Sequence, residues 1–141
     1  MANLPTEIQL KIVSADRSLV NEQVDEVEIP GADGYFGVLP GHTPLLALLG
    51  TGELWYRHGS EKVYLSIAFG FAEVQPDRVT ILAQIAEKAD EIDVVRAEAA
   101  KKRAEERLAQ ATADMDFERA RIALLKSLIR LQVSTRARIR S

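Results

Sequence analysis

The hydrophobic pattern of this 141-residue chain changes its period once, between Ala86 and Ala97. Before that stretch, apolar and polar residues alternate in short runs that Gly and Pro interrupt, which is typical of half-buried strands. After it, two Ala- and Arg-rich stretches contain neither Gly nor Pro and repeat their apolar residues about every 3.6 positions. We therefore predict a β domain over residues 1–88 and a helical domain over residues 89–141.

The β domain is predicted to contain many short strands. Residues 7–13 alternate cleanly and place Ile8, Leu10 and Ile12 on one inner face. The same alternation recurs at Val27/Ile29, Leu54/Tyr56, Val63/Leu65/Ile67 and Val79/Ile81/Ala83. Turn signals rich in Gly or Pro separate the runs, and this spacing indicates an antiparallel sandwich or barrel.

The helical domain is predicted to form a hairpin. Asp90, Glu91 and Asp93 can cap a first helix, and acidic residues at 114–118 start a second one near residue 115. The link between the helices is short, so they should run antiparallel. Two stripes should meet in the seam: Ala97, Ala100, Ala104, Leu108 and Ala111 on the first helix, and Phe117, Ala120, Leu124, Leu128 and Leu131 on the second. A second apolar face (Ile122, Leu125, Ile129 and Val133) is left for another partner.

Charge is distributed unevenly between the two domains. Residues 1–89 carry 6 basic and 12 acidic side chains, whereas residues 90–141 carry 12 basic and 9 acidic ones. After Glu118 there are seven basic residues and no acidic residue. Such a segment attracts a negative partner, and because it has no aromatic residue to stack on bases, an acidic protein segment or a nucleotide phosphate fits better than nucleic acid.

The residues that usually carry catalysis are scarce. The chain has no Cys and only two His, His42 and His58, so it offers no triad and no metal-spaced cluster. The glycines Gly31, Gly34 and Gly37 match no nucleotide fingerprint and are expected to serve turns and bulges with positive φ. No apolar run approaches a membrane span, and no signal peptide is visible, so a soluble cytosolic protein is expected.

Asp93 and Arg96 lie one turn apart at the predicted start of the first helix, and Arg103 follows two turns later on the same edge. In one interpretation, Asp93 caps the helix and Arg96 is a solvated partner. In the other, Arg96 and Arg103 bind phosphate while the carboxylate accepts from a base or ribose. The residues alone leave both interpretations open.

Four ordered motifs resemble one known family over essentially the whole chain. They are residues 37–46 (GVLPGHTPLL), 71–83 (FAEVQPDRVTILA), 92–97 (IDVVRA) and 116–120 (DFERA). Together they closely resemble the ε subunits of bacterial F-type ATP synthases. The resemblance implies an α+β fold in two parts, in which an antiparallel β-sandwich precedes an antiparallel two-helix hairpin. It also implies a rotor subunit that is not an enzyme and requires no cofactor.

The resemblance implies partners and a location. The sandwich is expected to couple the γ subunit to the ring of c subunits in ATP synthesis, within a complex that also holds the α and β subunits. The implied docking residues are Gly31, Asp33, Tyr35, Pro40, His42 and Leu45. Tyr35 stands where the family often has an acidic residue. The protein would be peripheral on the cytoplasmic face of the bacterial plasma membrane, attached only through the complex, with no nucleic acid partner.

The resemblance also implies a regulatory role for the hairpin. Arg119, Lys126 and Arg130 are the implied contacts with an acidic segment of the β subunit, and this contact would inhibit ATP hydrolysis. Some relatives bind regulatory ATP in the folded hairpin. The corresponding residues here are Glu87, Ile92, Asp93, Arg96, Ala97, Arg103, Lys126 and Arg130, of which Lys126 replaces an Arg of the ATP binders. The alternative function is an adaptor or chaperone-like module whose hairpin binds acidic protein segments.

Overall fold

The structure, a computed structural model, describes residues 4–111 and 113–140. Its strands are β1 (Ile8–Val13), β2 (Ser18–Val24), β3 (Glu26–Gly31), β4 (Gly34–Val38), β5 (Leu45–His58), β6 (Glu61–Gln75) and β7 (Arg78–Lys88). A short 3-10 helix (Ala89–Glu91) leads into α1 (Val94–Gln110) and α2 (Asp114–Arg140). The chain divides into two compact units after Lys88.

The seven strands form one hydrogen-bonded sheet in the order β2-β1-β7-β6-β5-β3-β4. Edge strand β2 also contacts β5, which is not its neighbour in that order, so the sheet folds back on itself. This confirms the predicted β-sandwich. Neighbouring strands run antiparallel except β1 and β7, which pair in parallel with Leu10 opposite Val79. These two strands are far apart in sequence, so no tight turn fixes their relative direction.

The alternating residues form the core of the sandwich. Ile8, Leu10 and Ile12 are fully buried, as the alternation in β1 predicts. The inner residues of the other runs are buried as well: Val27, Ile29, Leu54, Tyr56, Leu65, Ile67, Val79, Ile81 and Ala83. Val63 packs against the margin of this core. Each large aliphatic side chain contributes about 1.5–3 kcal/mol on full burial, so this set accounts for much of the stability of the sandwich.

The three glycines of the β3–β4 region serve different needs. Gly34 has a φ of 133°, as the turn prediction requires, whereas Gly31 and Gly37 do not have a positive φ. The expectation is wrong for these two because they lie in extended strand backbone. Gly31 is needed for space instead, since a Cβ there would lie 2.7 Å from the carbonyl oxygen of Gly34.

Gly70 in β6 allows a close backbone approach to β7. Its φ is 121°, and a Cβ at this position would collide with the carbonyl oxygen of Leu82 in β7. Gly70→Ala should lower the free energy of unfolding by at least about 3 kcal/mol, because the φ strain alone costs about 1–3 kcal/mol and a backbone clash adds to it. Urea unfolding of the purified chain measures the effect.

Gly34→Ala is the matched control for Gly70→Ala. Gly34 has a similar φ of 133°, but nothing lies within 4 Å of a Cβ built there. This variant therefore measures the φ strain without the clash and should cost about 1–2 kcal/mol. Equal losses in the two variants would contradict the role assigned to the approach between β6 and β7.

The two helices pack against each other as the predicted hairpin. Ala97 and Ala104 are buried on α1, and Ala120 and Ser127 are buried on α2. Small side chains at these positions allow the helix backbones to approach closely. The Ser127 hydroxyl donates to the carbonyl oxygen of Ala123 at 2.9 Å, so its burial leaves no unsatisfied donor.

The seam on α2 differs from the predicted one. Phe117 and Leu128 are 48% and 42% exposed, although the predicted stripe requires both to be buried. Val133, which is predicted to lie on the leftover face, is fully buried. The helical period identifies two apolar stripes on α2 but contains no information on which of them faces a given neighbour.

Candidate functional site

Asp93 is the N-cap of α1. Its backbone is extended, with φ −79° and ψ 99°, and its Oδ1 accepts a hydrogen bond from the backbone N–H of Arg96 at 3.1 Å. This is the usual way in which an aspartate satisfies a free donor at a helix start, and it typically contributes about 1 kcal/mol. Of the two interpretations of this residue, the capping one describes its contacts in the structure.

Three arginines line one hollow on the hairpin. Arg96 and Arg103 come from α1 and Arg130 comes from α2, and the side chains of Ala99 and Ala100 complete the lining. We call this the arginine hollow. Its volume is about 420 Å³, within the usual range of small-ligand pockets. One guanidinium group can donate two parallel hydrogen bonds to the oxygens of a phosphate. The small side chains of the two alanines leave room for a ligand between the helices.

The arginine hollow unites three of the eight predicted ATP residues. Ile92 and Ala97 are buried, so they support the start of α1 and do not line the hollow. Lys126 is half-buried on α2 but is not part of the lining either. Glu87 lies in β7, in the other compact unit. The geometry therefore supports a phosphate site whose charges are Arg96, Arg103 and Arg130.

A second hollow lies near the turn of the hairpin. It has a volume of about 370 Å³ and is lined by Arg107, Gln110, Ala111, Asp116, Arg119 and Ala120. The three predicted contacts with the β subunit are thus distributed along α2, since Arg119 lies here and Arg130 lies in the arginine hollow. Unlike the arginine hollow, this one includes a carboxylate, which makes it a poorer anion site.

An exposed ion pair follows Asp116 on α2. The Arg121 guanidinium donates two hydrogen bonds of 3.1 Å to the Glu118 carboxylate, and these hold the pKa of Glu118 below its usual value. Because the pKa of Glu118 is lower in the folded chain than in the unfolded chain, the pair stabilises the helix at pH values above the pKa that the carboxyl group has in the unfolded chain. That contribution is lost as the pH falls through the folded pKa. The pair is exposed and well screened, so its effect is small.

The first predicted docking loop joins β3 to β4. Asp33 is exposed in the turn, and Gly31 ends β3 immediately before it. Tyr35 is 53% exposed, yet its hydroxyl accepts a hydrogen bond of 3.0 Å from the backbone N–H of Glu53. Tyr35 therefore fixes the loop to β5 while presenting part of its ring to solvent.

The second predicted docking loop leads from β4 into β5. The Gly41 N–H donates to the Pro76 carbonyl oxygen at 2.7 Å, which anchors the loop to the β6–β7 turn. His42 Nδ1 lies 2.6 Å from the Thr43 carbonyl oxygen, so a protonated Nδ1 donates within the loop. Pro40 is half-buried, and Leu45 at the start of β5 is 41% exposed. The loop is thus held in place with an apolar residue at its end.

An exposed apolar row crosses three strands of the sandwich and was not predicted from the sequence. Leu48 of β5 pairs with Phe71 of β6, which pairs with Leu82 of β7. These side chains are 71%, 43% and 40% exposed, respectively. All three line a groove of about 820 Å³ whose surface is mainly apolar. So large an apolar surface on a folded domain usually marks an interaction site.

A signal for this row is present in the sequence. Residues 45–49 read LLALL, an unbroken apolar run that departs from strict alternation. A strand that is apolar on both faces needs a partner on each of them. Leu49 faces the core, whereas its neighbour Leu48 faces outward. The break in alternation could therefore have identified the exposed apolar row.

Among the described residues, no helix combines the length and hydropathy that are needed to cross a membrane.

Two family models match consecutive parts of the chain. The model described as ATP synthase, Delta/Epsilon chain, beta-sandwich domain, matches residues 7–89. The model described as ATP synthase, Delta/Epsilon chain, long alpha-helix domain, matches residues 90–135. The two matches meet where the hydrophobic period changes.

Similar proteins agree with these matches. The ATP synthase epsilon chain of Syntrophobacter fumaroxidans is 49% identical over 128 residues, covering 91% of this chain and 96% of that protein. The epsilon chain of Koribacter versatilis is 52% identical over 100 residues, or 71% of this chain and 70% of that one. A chain in the Euglena gracilis mitochondrial ATP synthase structure (OSCP/F1/c-ring) aligns with a TM-score of 0.80 and 27% identity, covering 98% of this chain and 84% of its own.

Proposed function

The chain belongs to the ε-chain family of ATP synthases, and on this premise we propose that it is a non-catalytic rotor subunit. Its sandwich joins the γ subunit to the c ring, and its hairpin inhibits ATP hydrolysis. The similar Euglena chain comes from an F1/c-ring assembly, which supports a place in such a complex. The observation that carries the proposal is the exposed row of Leu48, Phe71 and Leu82 on the sandwich.

The apolar row suits a permanent partner. Three large side chains on adjacent strands form a continuous surface, and the groove beside them can receive side chains of a second protein. Covering such a surface contributes roughly 25 cal/mol per Å² of apolar area removed from water. We assign this row to γ and the anchored loops at Asp33 and His42 to the c ring.

The hairpin has a basic surface that suits a partner which binds and is released again. Arg119, Lys126 and Arg130 lie on one side of α2, within about 40° of each other at 100° per residue. Binding of this side to an acidic segment of the β subunit would stop rotation in the direction of hydrolysis. The hairpin would then distribute between a packed form and a form engaged with the β subunit, according to the affinities of the available ligands.

ATP would favour the packed form. A triphosphate in the arginine hollow would bridge Arg96 and Arg103 of α1 to Arg130 of α2. Arg130 is also one of the cations assigned to the β subunit, so the two ligands compete for it. A ligand that binds only one of two forms shifts the population towards that form. High ATP would thereby relieve the inhibition.

Arg96→Ala should weaken ATP binding to the isolated chain at least about tenfold, because one charge-assisted partner of the phosphates is lost. The Arg96 side chain is exposed, so the fold should be unaffected. Calorimetry with millimolar ATP measures the affinity. Arg107→Ala is the matched control, since Arg107 lies on the same helix but lines the other hollow. No heat from the unchanged chain at millimolar ATP would refute the site.

The alternative function is an adaptor that binds acidic segments through its hairpin. Its support comes from the basic residues of α2 and from no other feature described above. Binding to purified γ distinguishes the two functions. A rotor subunit should bind γ in a 1:1 ratio through its apolar row, with an affinity that changes little with salt. An adaptor should ignore γ and bind acidic peptides with an affinity that falls steeply as salt screens the charges.

A further inference from the structure

A cluster of two carboxylates and one imidazole lies in the sandwich, outside the apolar row and the two predicted docking loops. Glu7 immediately precedes β1, Asp25 links β2 to β3, and His58 ends β5. One ligand atom from each residue lies within 4.8 Å of the other two. Three separate segments of the chain thus bring an imidazole and two carboxylates to one point.

His58 and Glu7 face each other at the distance of an ion pair. His58 Nε2 lies 3.6 Å from Glu7 Oε2, which is beyond hydrogen-bond length. Two ligand atoms on a tetrahedral zinc ion, each about 2.1 Å from the metal, are about 3.4 Å apart. The observed separation of 3.6 Å is close to the distance between two ligand atoms on one metal ion.

Neighbouring groups hold Asp25 in position. Its Oδ2 accepts from the Gly59 N–H at 2.6 Å and from Arg57 Nη1 at 3.2 Å. A carboxylate has about four lone-pair positions on two oxygens, so these bonds leave acceptor capacity for a cation. Supporting hydrogen bonds of this kind orient ligands around metal ions.

The local charge favours a dication. Arg57 is a cationic neighbour of Asp25 in this network, and it also binds Glu26 through Nε at 2.8 Å. Glu7, Asp25 and Glu26 together carry three negative charges against the single positive charge of Arg57. These four side chains carry a net charge of about −2 beside the imidazole of His58, and a divalent ion would neutralise it.

We propose that Glu7, Asp25 and His58 form a zinc site that fastens the start of β1 and the β2–β3 link to the β5–β6 hairpin. One imidazole and two carboxylates are suitable ligands for Zn²⁺, with water in the remaining position. Because the ligands come from three segments that meet only in the folded sandwich, the ion binds the folded chain and stabilises it. Glu7 and His58 are exposed, so the ion reaches the site from solvent.

The test is calorimetric titration of the full, untagged chain with Zn²⁺, together with Co²⁺ absorption spectra. We expect one Zn²⁺ per chain and a higher Tm in its presence. His58→Ala and Glu7→Gln should each weaken binding at least tenfold and abolish the increase in Tm. Both side chains are exposed, so these variants should fold, as circular dichroism would verify.

His42→Ala is the matched control, because it removes the other histidine of the chain and leaves the cluster intact. Its affinity for Zn²⁺ should equal that of the unchanged chain. The site is refuted if the unchanged chain does not bind Zn²⁺ at millimolar concentration. It is also refuted if His58→Ala binds as tightly as the unchanged chain.

Discussion

Ending the chain after Ala89 should raise the ATP hydrolysis rate of the assembled complex by about fivefold or more, within the usual range of coupling between regulatory and active states. The shortened chain keeps all seven strands and the apolar row. It therefore keeps the surface assigned to γ and should assemble normally. It loses Arg119, Lys126 and Arg130, the cations assigned to the β subunit, so the inhibited form cannot be reached. Steady-state ATPase assays on purified complexes measure the rate.

A chain that ends after Ala137 is the control for this truncation. It lacks only the end of α2 and keeps the three cations, so it should hydrolyse ATP at nearly the rate of the full-length complex. If the chain ending after Ala89 assembles and is no more active than the full-length chain, the inhibitory role of the hairpin is wrong.

Leu48→Glu should weaken binding of the chain to γ by about 100-fold. Leu48 is 71% exposed, pairs with Phe71, and is the most exposed member of the apolar row. Losing a buried leucine contact costs about 1.5–3 kcal/mol, and burying an unpaired carboxylate adds a further penalty. A total near 3 kcal/mol corresponds to a factor of about 100 in affinity. Surface plasmon resonance with immobilised γ measures the loss.

Leu4→Glu provides a matched control for Leu48→Glu. Leu4 is 80% exposed and belongs to the same compact unit, but it lies outside the seven strands. The same change of residue type there should leave the affinity for γ within about twofold, since a lone surface change of this kind costs less than about 0.5 kcal/mol. Comparable losses in both variants would show that the apolar row is not the docking surface.

The sequence was sufficient to predict the core of the sandwich and five of its strands, whereas β2 and β4 were not predicted. Strict alternation in β1 places Ile8, Leu10 and Ile12 on one face of the strand, and that face must be buried to remove the three side chains from water. The helices could also be predicted from the sequence, because Asp93 precedes an apolar pattern with helical period and contributes an N-cap. The fold class is confirmed in both parts.

Other features depend on tertiary contacts that no local pattern contains. The parallel pairing of β1 with β7 joins residues about 70 positions apart, so nothing near either strand signals its direction. The burial of Ser127 in place of Leu128 depends on how closely α1 approaches α2. The same limit applies to Gly70, whose role follows from a carbonyl oxygen on the neighbouring strand.

A candidate site could be predicted from the sequence only as far as its residues lie close together in the chain. The spacing of Arg96 and Arg103 places both on one edge of α1, and the structure brings them to a common hollow. The choice of Arg130 over Lys126 to complete that hollow depends on the rotation of α2 about its axis, which the sequence does not determine. The cluster of Glu7, Asp25 and His58 joins three distant segments and could not have been found from spacing.

The most direct test of the central claim is the subunit composition of the complex that the tagged, full-length chain retains on purification from its own cells. We predict one copy of the chain with γ, the α and β subunits and the c ring, measured by native mass spectrometry in a detergent that preserves the assembly. Recovery of the chain alone, or with a changing set of acidic proteins and without γ, would contradict its assignment as a rotor subunit.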